Sequence, residues 1–185
     1  MRNRTPKEFL LLSALTLLAG AAWIAISAPE PSRLESSQSA PSVGFLAPNF
    51  SLGSLDGETI QLSDLRGQAV ILNLWASWCG PCRAEMPAIQ NVYEAYADKG
   101  LVILALNATY QDDLASASAF AAELGLTYPI LLDLDGSVSS QYNLRALPTT
   151  YFIDPEGRVQ DVVIGGPMSE ALLEIRAEEL MRGLR

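Results

Sequence analysis

The chain has 185 residues and a formal net charge of -9, with two cysteines and no histidine. That charge excludes nucleic acid or an anionic bilayer surface as the main partner, because both demand concentrated positive charge. A structural zinc site needs four ligands, usually cysteine or histidine, which this chain could complete only with a second copy or with carboxylates.

Arg2, Arg4 and Lys7 lie in residues 1–8, and the stretch 9–28 that follows carries no charge apart from its flanks. About 20 apolar residues are enough to cross a bilayer as a helix. No further basic residue occurs before Arg33, so the positive-inside bias predicts residues 1–8 in the cytoplasm, a transmembrane anchor over 9–28 and the remainder outside. The alternative is a cleaved signal peptide ending near Ala25-Ile26-Ser27, but the apolar run exceeds the usual ~7–15-residue signal core. Both readings export the rest of the chain. Residues 29–43 are rich in Ser and Pro and nearly free of large apolar side chains, which predicts a flexible linker. Residues 44–185 then form one domain of ordinary size.

Within it, Ala47 to Leu52 and Glu58 to Gly67 flank Asp56-Gly57, a hairpin turn signal. Ala69-Val70-Ile71-Leu72-Asn73-Leu74-Trp75 has the β-branched and aliphatic content of a buried strand. Ala84 to Tyr96 has helical periodicity, with Met86, Ile89, Val92, Tyr93 and Tyr96 on one face. A strand over Leu101 to Leu106 and an alanine-rich helix over Leu114 to Leu124, stopped by Gly125, come next. Tyr128 to Leu132 reads as a strand and Gly136 to Tyr142 as a short helix. Thr149 to Ile153 and Val159 to Ile164 form a hairpin around Asp154 to Gly157, and a last helix runs from a Ser169 cap to Arg182. The alternation predicts an α/β domain with parallel crossovers and a terminal antiparallel hairpin.

Between the first long strand and its helix stands Trp78-Cys79-Gly80-Pro81-Cys82. Two residues between cysteines is one helical turn, close enough for the sulfurs to bond. Cys79 falls where free backbone N–H groups and the positive end of the helix dipole favour a thiolate. A thiolate beside a second thiol is what disulfide exchange requires. A purely structural disulfide is the duller reading, yet so short a loop removes little unfolded-chain entropy.

This motif at a strand-to-helix junction resembles the thioredoxin superfamily. Pro87 matches the proline that interrupts the family's active-site helix, and Leu147-Pro148-Thr149 matches its cis-proline loop. The front hairpin, Asn73 in place of the usual buried aspartate, and Glu85 three residues beyond Cys82 are similar to the TlpA/ResA-like, AhpC/TSA-related branch. The resemblance implies a thioredoxin-like fold with an N-terminal β-hairpin and a central αβ insert. It also implies an exported, membrane-anchored thiol-disulfide oxidoreductase that reduces protein disulfides.

In that role Cys79 attacks, Cys82 resolves and Glu85 handles the proton, with Glu85 as a mere complement to the helix dipole left as the alternative. Trp78, Leu147, Pro148 and Thr149 are the substrate-contact candidates, with Phe45 as a further one that could equally be core. The resemblance implies no cofactor, a membrane thiol-disulfide relay as electron donor, and exported proteins such as apocytochrome c as substrates. A thiol peroxidase is the first alternative, although the Pro-x-x-x-Thr-x-x-Cys loop of peroxiredoxin-type relatives is absent. A disulfide-forming oxidase and a non-catalytic binding module complete the set.

Overall fold

The computed structural model describes residues 38–182 and Trp23. The expected anchor over 9–28, Trp23 apart, and the linker up to residue 37 lie outside the described residues. Among those described, no helix is long and apolar enough to cross a membrane. Apart from Trp23, everything below belongs to the unit Ser37–Arg185.

Two short strands, β1 (Ser51–Gly53) and β2 (Thr59–Gln61), pair antiparallel across the Asp56-Gly57 turn, where Gly57 takes φ +88. The main sheet follows: β3 (Ala69–Trp75), β4 (Leu101–Asn107), β5 (Ile130–Leu132), β6 (Thr149–Ile153) and β7 (Val159–Ile164), in the order β5-β4-β3-β6-β7. Parallel pairing joins β3 to β4 and β4 to β5, and antiparallel pairing joins β3 to β6 and β6 to β7. The expected strand from Tyr128 shortens to Ile130, since Pro129 has no N–H to give a ladder. The front hairpin covers the edge this leaves: Ser54 bridges Leu131, and the Leu55 N–H donates to the Ile130 carbonyl at 2.9 Å. Covering β5 removes an edge open to strand addition.

Helices α1 (Gly80–Tyr96), α2 (Leu114–Glu123), α3 (Ser137–Gln141) and α4 (Glu170–Met181) complete the thioredoxin-like α/β fold. Two of them carry side-chain N-caps, of which the one at Ser169 was expected. Asp113 accepts from the Ser116 N–H at the head of α2, and Ser169 accepts from the Leu172 N–H at the head of α4.

Every residue of β3 is buried, because both sheet faces are covered. Val70, Leu72 and Leu74 face a core with Leu62, Val138 and Tyr142, while Ile71 and Trp75 face one with Cys82, Met86, Phe120 and Leu173. Asn73 is the polar exception in the middle of the second face.

Two expectations change. The linker does not run free to residue 43: Leu46 N–H donates to the Gln38 carbonyl, Ala40 N–H to the Leu46 carbonyl, and Gly44 N–H to Val159. The chain from Gln38 onward is thus tied to the domain. Phe45 is not near the dithiol. Its carbonyl accepts the N–H of Val159, at the opposite end of β7 from Ile164, which pairs with Thr149 beside the active-site loop.

Candidate active site

β3 ends at Trp75, whose carbonyl accepts the Ala108 N–H, and four residues separate it from the start of α1 at Gly80. Cys79 is the N-cap of α1, and its Sγ accepts the Cys82 backbone N–H at 3.2 Å. Pro81 suits the first turn because it has no N–H to leave unpaired there. Pro87, farther along α1, cannot donate to the Arg83 carbonyl and so interrupts the ladder one turn past the dithiol. Cys79 and Cys82 are joined as a disulfide, with Cα atoms 5.3 Å apart. Cys79 is 5% exposed and Cys82 fully enclosed, so the first sulfur is less open than a helix-start position suggests, though still the more accessible.

Glu85 lies on the buried face of α1 with no exposed surface. One carboxylate oxygen, Oε1, accepts from Asn73 Nδ2 at 2.8 Å, and the other, Oε2, accepts the Met168 N–H at 3.1 Å. Asn73 Nδ2 also donates to Thr150 Oγ1 at 2.9 Å, while Asn73 Oδ1 has no partner among the described residues. Burial raises the Glu85 pKa above the ordinary 4.5, and the hydrogen bonds from Met168 and Asn73 only partly oppose it. Glu85 is therefore a buried carboxylate and not a solvated charge at the helix start. Burial likewise pushes up the nearby Tyr128 phenol, and the Glu85 charge adds to it.

The Leu147–Pro148 bond is cis, as the loop resemblance implies. Leu147 is half-buried, and its backbone N–H and carbonyl have no hydrogen-bond partner among the described residues. Pro148 is buried, its carbonyl accepting the Gly165 N–H at 2.8 Å. Thr149 does not reach the surface. It is 3% exposed, its hydroxyl donates to the Ala146 carbonyl at 2.8 Å, and it pairs with strands on both sides. Trp78 is 60% exposed, with its indole N–H donating to the Gln111 carbonyl at 3.1 Å.

Two features escaped the sequence reading. The segment after β7 carries a second cis bond, Gly166–Pro167, and closes over the site. A Cβ on Gly166 would lie 2.7 Å from Glu85 Oε2 and 2.8 Å from Pro148 Cγ, so only glycine fits between carboxylate and proline. The Gly165-Gly166-Pro167 run was a visible signal, but nothing local says what it packs against. The other is Asp112, whose carboxylate accepts from Ser77 N–H at 2.7 Å, Ser77 Oγ at 2.6 Å, Asn107 Nδ2 at 2.8 Å and Asp113 N–H at 2.9 Å. Burial pushes its pKa up, but the bonds from Asn107 and Ser77 outweigh that and hold it below 3.8. Asp112 thereby fixes the loop that carries Trp78. Among the described residues, no group of three or more Cys, Asp and Glu side chains could hold a metal ion. A wider cleft of about 410 Å³ lies by Asp154, Pro155 and Arg176, at the sheet end remote from the sulfurs.

The AhpC/TSA family profile matches residues 43–162. The chain belongs to the AhpC/TSA family. It is 45% identical to the thioredoxin-like protein YneN of Bacillus subtilis over 66% of this chain and 71% of that one. It is 41% identical to the thiol-disulfide oxidoreductase ResA of Geobacillus kaustophilus, over 69% of this chain and 72% of that one. Among solved structures, Bacillus subtilis StoA superposes with a TM-score of 0.62 at 29% identity, covering 70% of this chain and 96% of the StoA chain. With the paired cysteines at the head of α1, these relationships make the chain an enzyme of the thiol-disulfide oxidoreductase type.

Proposed function

We propose that the protein is an extracytoplasmic reductase of protein disulfides, with Cys79 as nucleophile, Cys82 as resolving thiol and Glu85 as proton acceptor. The observation that carries this is the carboxylate of Glu85, fully enclosed one turn beyond Cys82 on the same helix. In the reduced enzyme the Cys79 thiolate attacks one sulfur of a substrate disulfide, forming a mixed disulfide and expelling the other sulfur as a thiolate. Cys82 gives its proton to the Glu85 carboxylate and attacks the Cys79 sulfur. That step releases the second substrate sulfur and leaves the Cys79–Cys82 disulfide seen here. Two electrons have passed to the substrate, and a dithiol relay protein in the membrane returns them. The unpaired backbone of Leu147 and the indole of Trp78 flank the sulfurs and suit a substrate strand laid along them.

The basic residues before the uncharged stretch 9–28 support a single-pass anchor with the catalytic domain outside the cytoplasm. The resemblance to the TlpA/ResA-like branch supports apocytochrome c cysteines as the physiological target.

The test is a trap. Cys82→Ala should leave the mixed disulfide on Cys79 unresolved, so that exported cysteine proteins, apocytochrome c among them, stay covalently attached. A trap that collects nothing, together with peroxide consumption by the intact dithiol, would replace the reductase with a peroxidase. Externally added protease should remove the domain from spheroplasts, and full protection would overturn the topology.

A further inference from the structure

Trp78, which precedes Cys79, and Leu147, which packs on the cluster holding both cysteines, line a cleft of about 160 Å³ together with Tyr110, Gln111 and Arg145. Ligand pockets for small molecules run to about 300–1,000 Å³, so this one has room for a single side chain and not for a cofactor. Its walls are fixed. The Trp78 indole is held by the Gln111 carbonyl, and the Tyr110 ring rests on Gly136, where a Cβ would approach Tyr110 Cγ to 2.9 Å. Trp78 and Tyr110 remain 60% and 47% exposed, an apolar lip on the cleft that begins at the residue before Cys79.

The charge in the cleft is the informative part. In a chain of net charge -9, Arg145 is exposed and has no ion pair or hydrogen bond among the described residues. An unpaired guanidinium at the rim of a one-side-chain cleft favours a carboxylate, which it can grip with two parallel N–H donors. We infer that this cleft is a specificity subsite that takes an aspartate or glutamate side chain of the substrate polypeptide, two residues from the attacked cysteine. The spacing follows from an extended chain along Leu147, in which side chains two residues apart point the same way. The inference rests on the reading that substrates are polypeptide disulfides.

The acidic surface as a whole favours basic peptides, so a preference for acid at one position has to come from a local site. The experiment uses the full-length reduced protein in detergent and disulfide-cyclised peptides that differ only in Glu, Gln or Lys two residues from the cysteines. The rate of peptide reduction should rank Glu over Gln by about 3-fold, the size expected for a partly exposed ion pair. Lys should rank below Gln, and the spread should shrink as salt shortens the Debye length. Arg145→Lys should keep the ranking and Arg145→Glu should invert it. Moving the Glu several residues away should abolish the preference. Equal rates for the three peptides, or a Lys preference, would overturn the subsite while leaving the reductase standing. If no peptide is reduced while bis(2-hydroxyethyl) disulfide still is, polypeptides are not the substrate and the reductase reading itself falls.

Discussion

Glu85 and Met168, 83 residues apart in the chain, meet where the carboxylate Oε2 accepts the Met168 backbone N–H at 3.1 Å. That contact ties the active-site helix to the segment between β7 and α4, while Oε1 is tied to the centre of β3 through Asn73. The carboxylate is therefore positioned from two sides, by the Asn73 amide and the Met168 N–H, neither of which titrates. Its protonation state is left to respond to burial, which raises its pKa.

Glu85→Gln should fold, because the Asn73 amide can rotate to present its unpartnered Oδ1 to the new Nε2 while Gln Oε1 accepts from Met168. Turnover should fall about 10-fold or more, the usual loss for a general base. Stability has a definite sign. The folded carboxyl holds its proton to higher pH than the unfolded chain, where the ordinary value is 4.5. Stability is therefore fullest below that pH and is lost as pH rises through the folded value. Urea midpoints measured across this range should slope downward for the wild type and stay flatter for Glu85→Gln. Parallel slopes and unchanged turnover would deny Glu85 its role.

Gly166→Ala should be costly although its backbone is not in the left-handed region. The new methyl meets a buried carboxylate and the Pro148 ring, both below 3 Å, and neither has space to retreat. Overpacking of this kind costs roughly 1–3 kcal/mol. The loss should appear in the urea midpoint, and the pH profile of thiol reactivity should move with it, since Glu85 is displaced. A variant as stable as the parent with the same profile would show that the segment is free to give way.

Much of this architecture was legible from local pattern. The unbroken apolar run of β3, the Cys79-Gly80-Pro81-Cys82 step and the periodicity of α1 each report a short-range constraint, and all three elements stand where the pattern puts them. Glu85 was visible only through resemblance, because a glutamate in the first turns of a helix looks like a surface charge. Its burial depends on Asn73 and Met168, which arrive through long-range register. Gly166 and Asp112 were hidden for the same reason. Their importance lies in what they touch, and a glycine after a strand or an aspartate before a helix has an ordinary local use. Phe45 misled in the opposite sense, since its aromatic ring says nothing of which end of β7 it will join.

Asp112→Ala removes an acceptor shared by Ser77 and Asn107, leaving the Ser77 N–H and the buried Asn107 amide without it. Such losses cost about 1–3 kcal/mol. The wild-type contribution is present above the ordinary carboxylate range and is lost as pH falls through the depressed Asp112 value, so the gap between variant and parent should close in acid. Trp78 rides on this loop. Its fluorescence should change and protein disulfides should be reduced more slowly, whereas an unchanged emission spectrum would mean the loop is held by other contacts.

Asn73→Asp is the sharpest test of the buried site. Asn73 Nδ2 lies 2.8 Å from Glu85 Oε1, so an aspartate would set two carboxyl groups at hydrogen-bonding distance in a core with no exposed surface at either residue. Two like charges that close cannot both ionise, and the pair is expected to share one proton well above the ordinary carboxylate range. Glu85 would then enter the resolving step already holding a proton, or competing for one. The pH dependence of resolution should shift upward, and turnover at neutral pH should fall even though a carboxylate has been added. Stability should be close to the parent's in acid, where both groups are protonated, and should fall behind it as pH rises and ionisation is forced. Measuring mixed-disulfide decay and urea midpoints over one pH series separates the two effects. A variant whose resolution rate and pH profile match the parent's would mean that the group at position 73 does not reach the proton on Glu85.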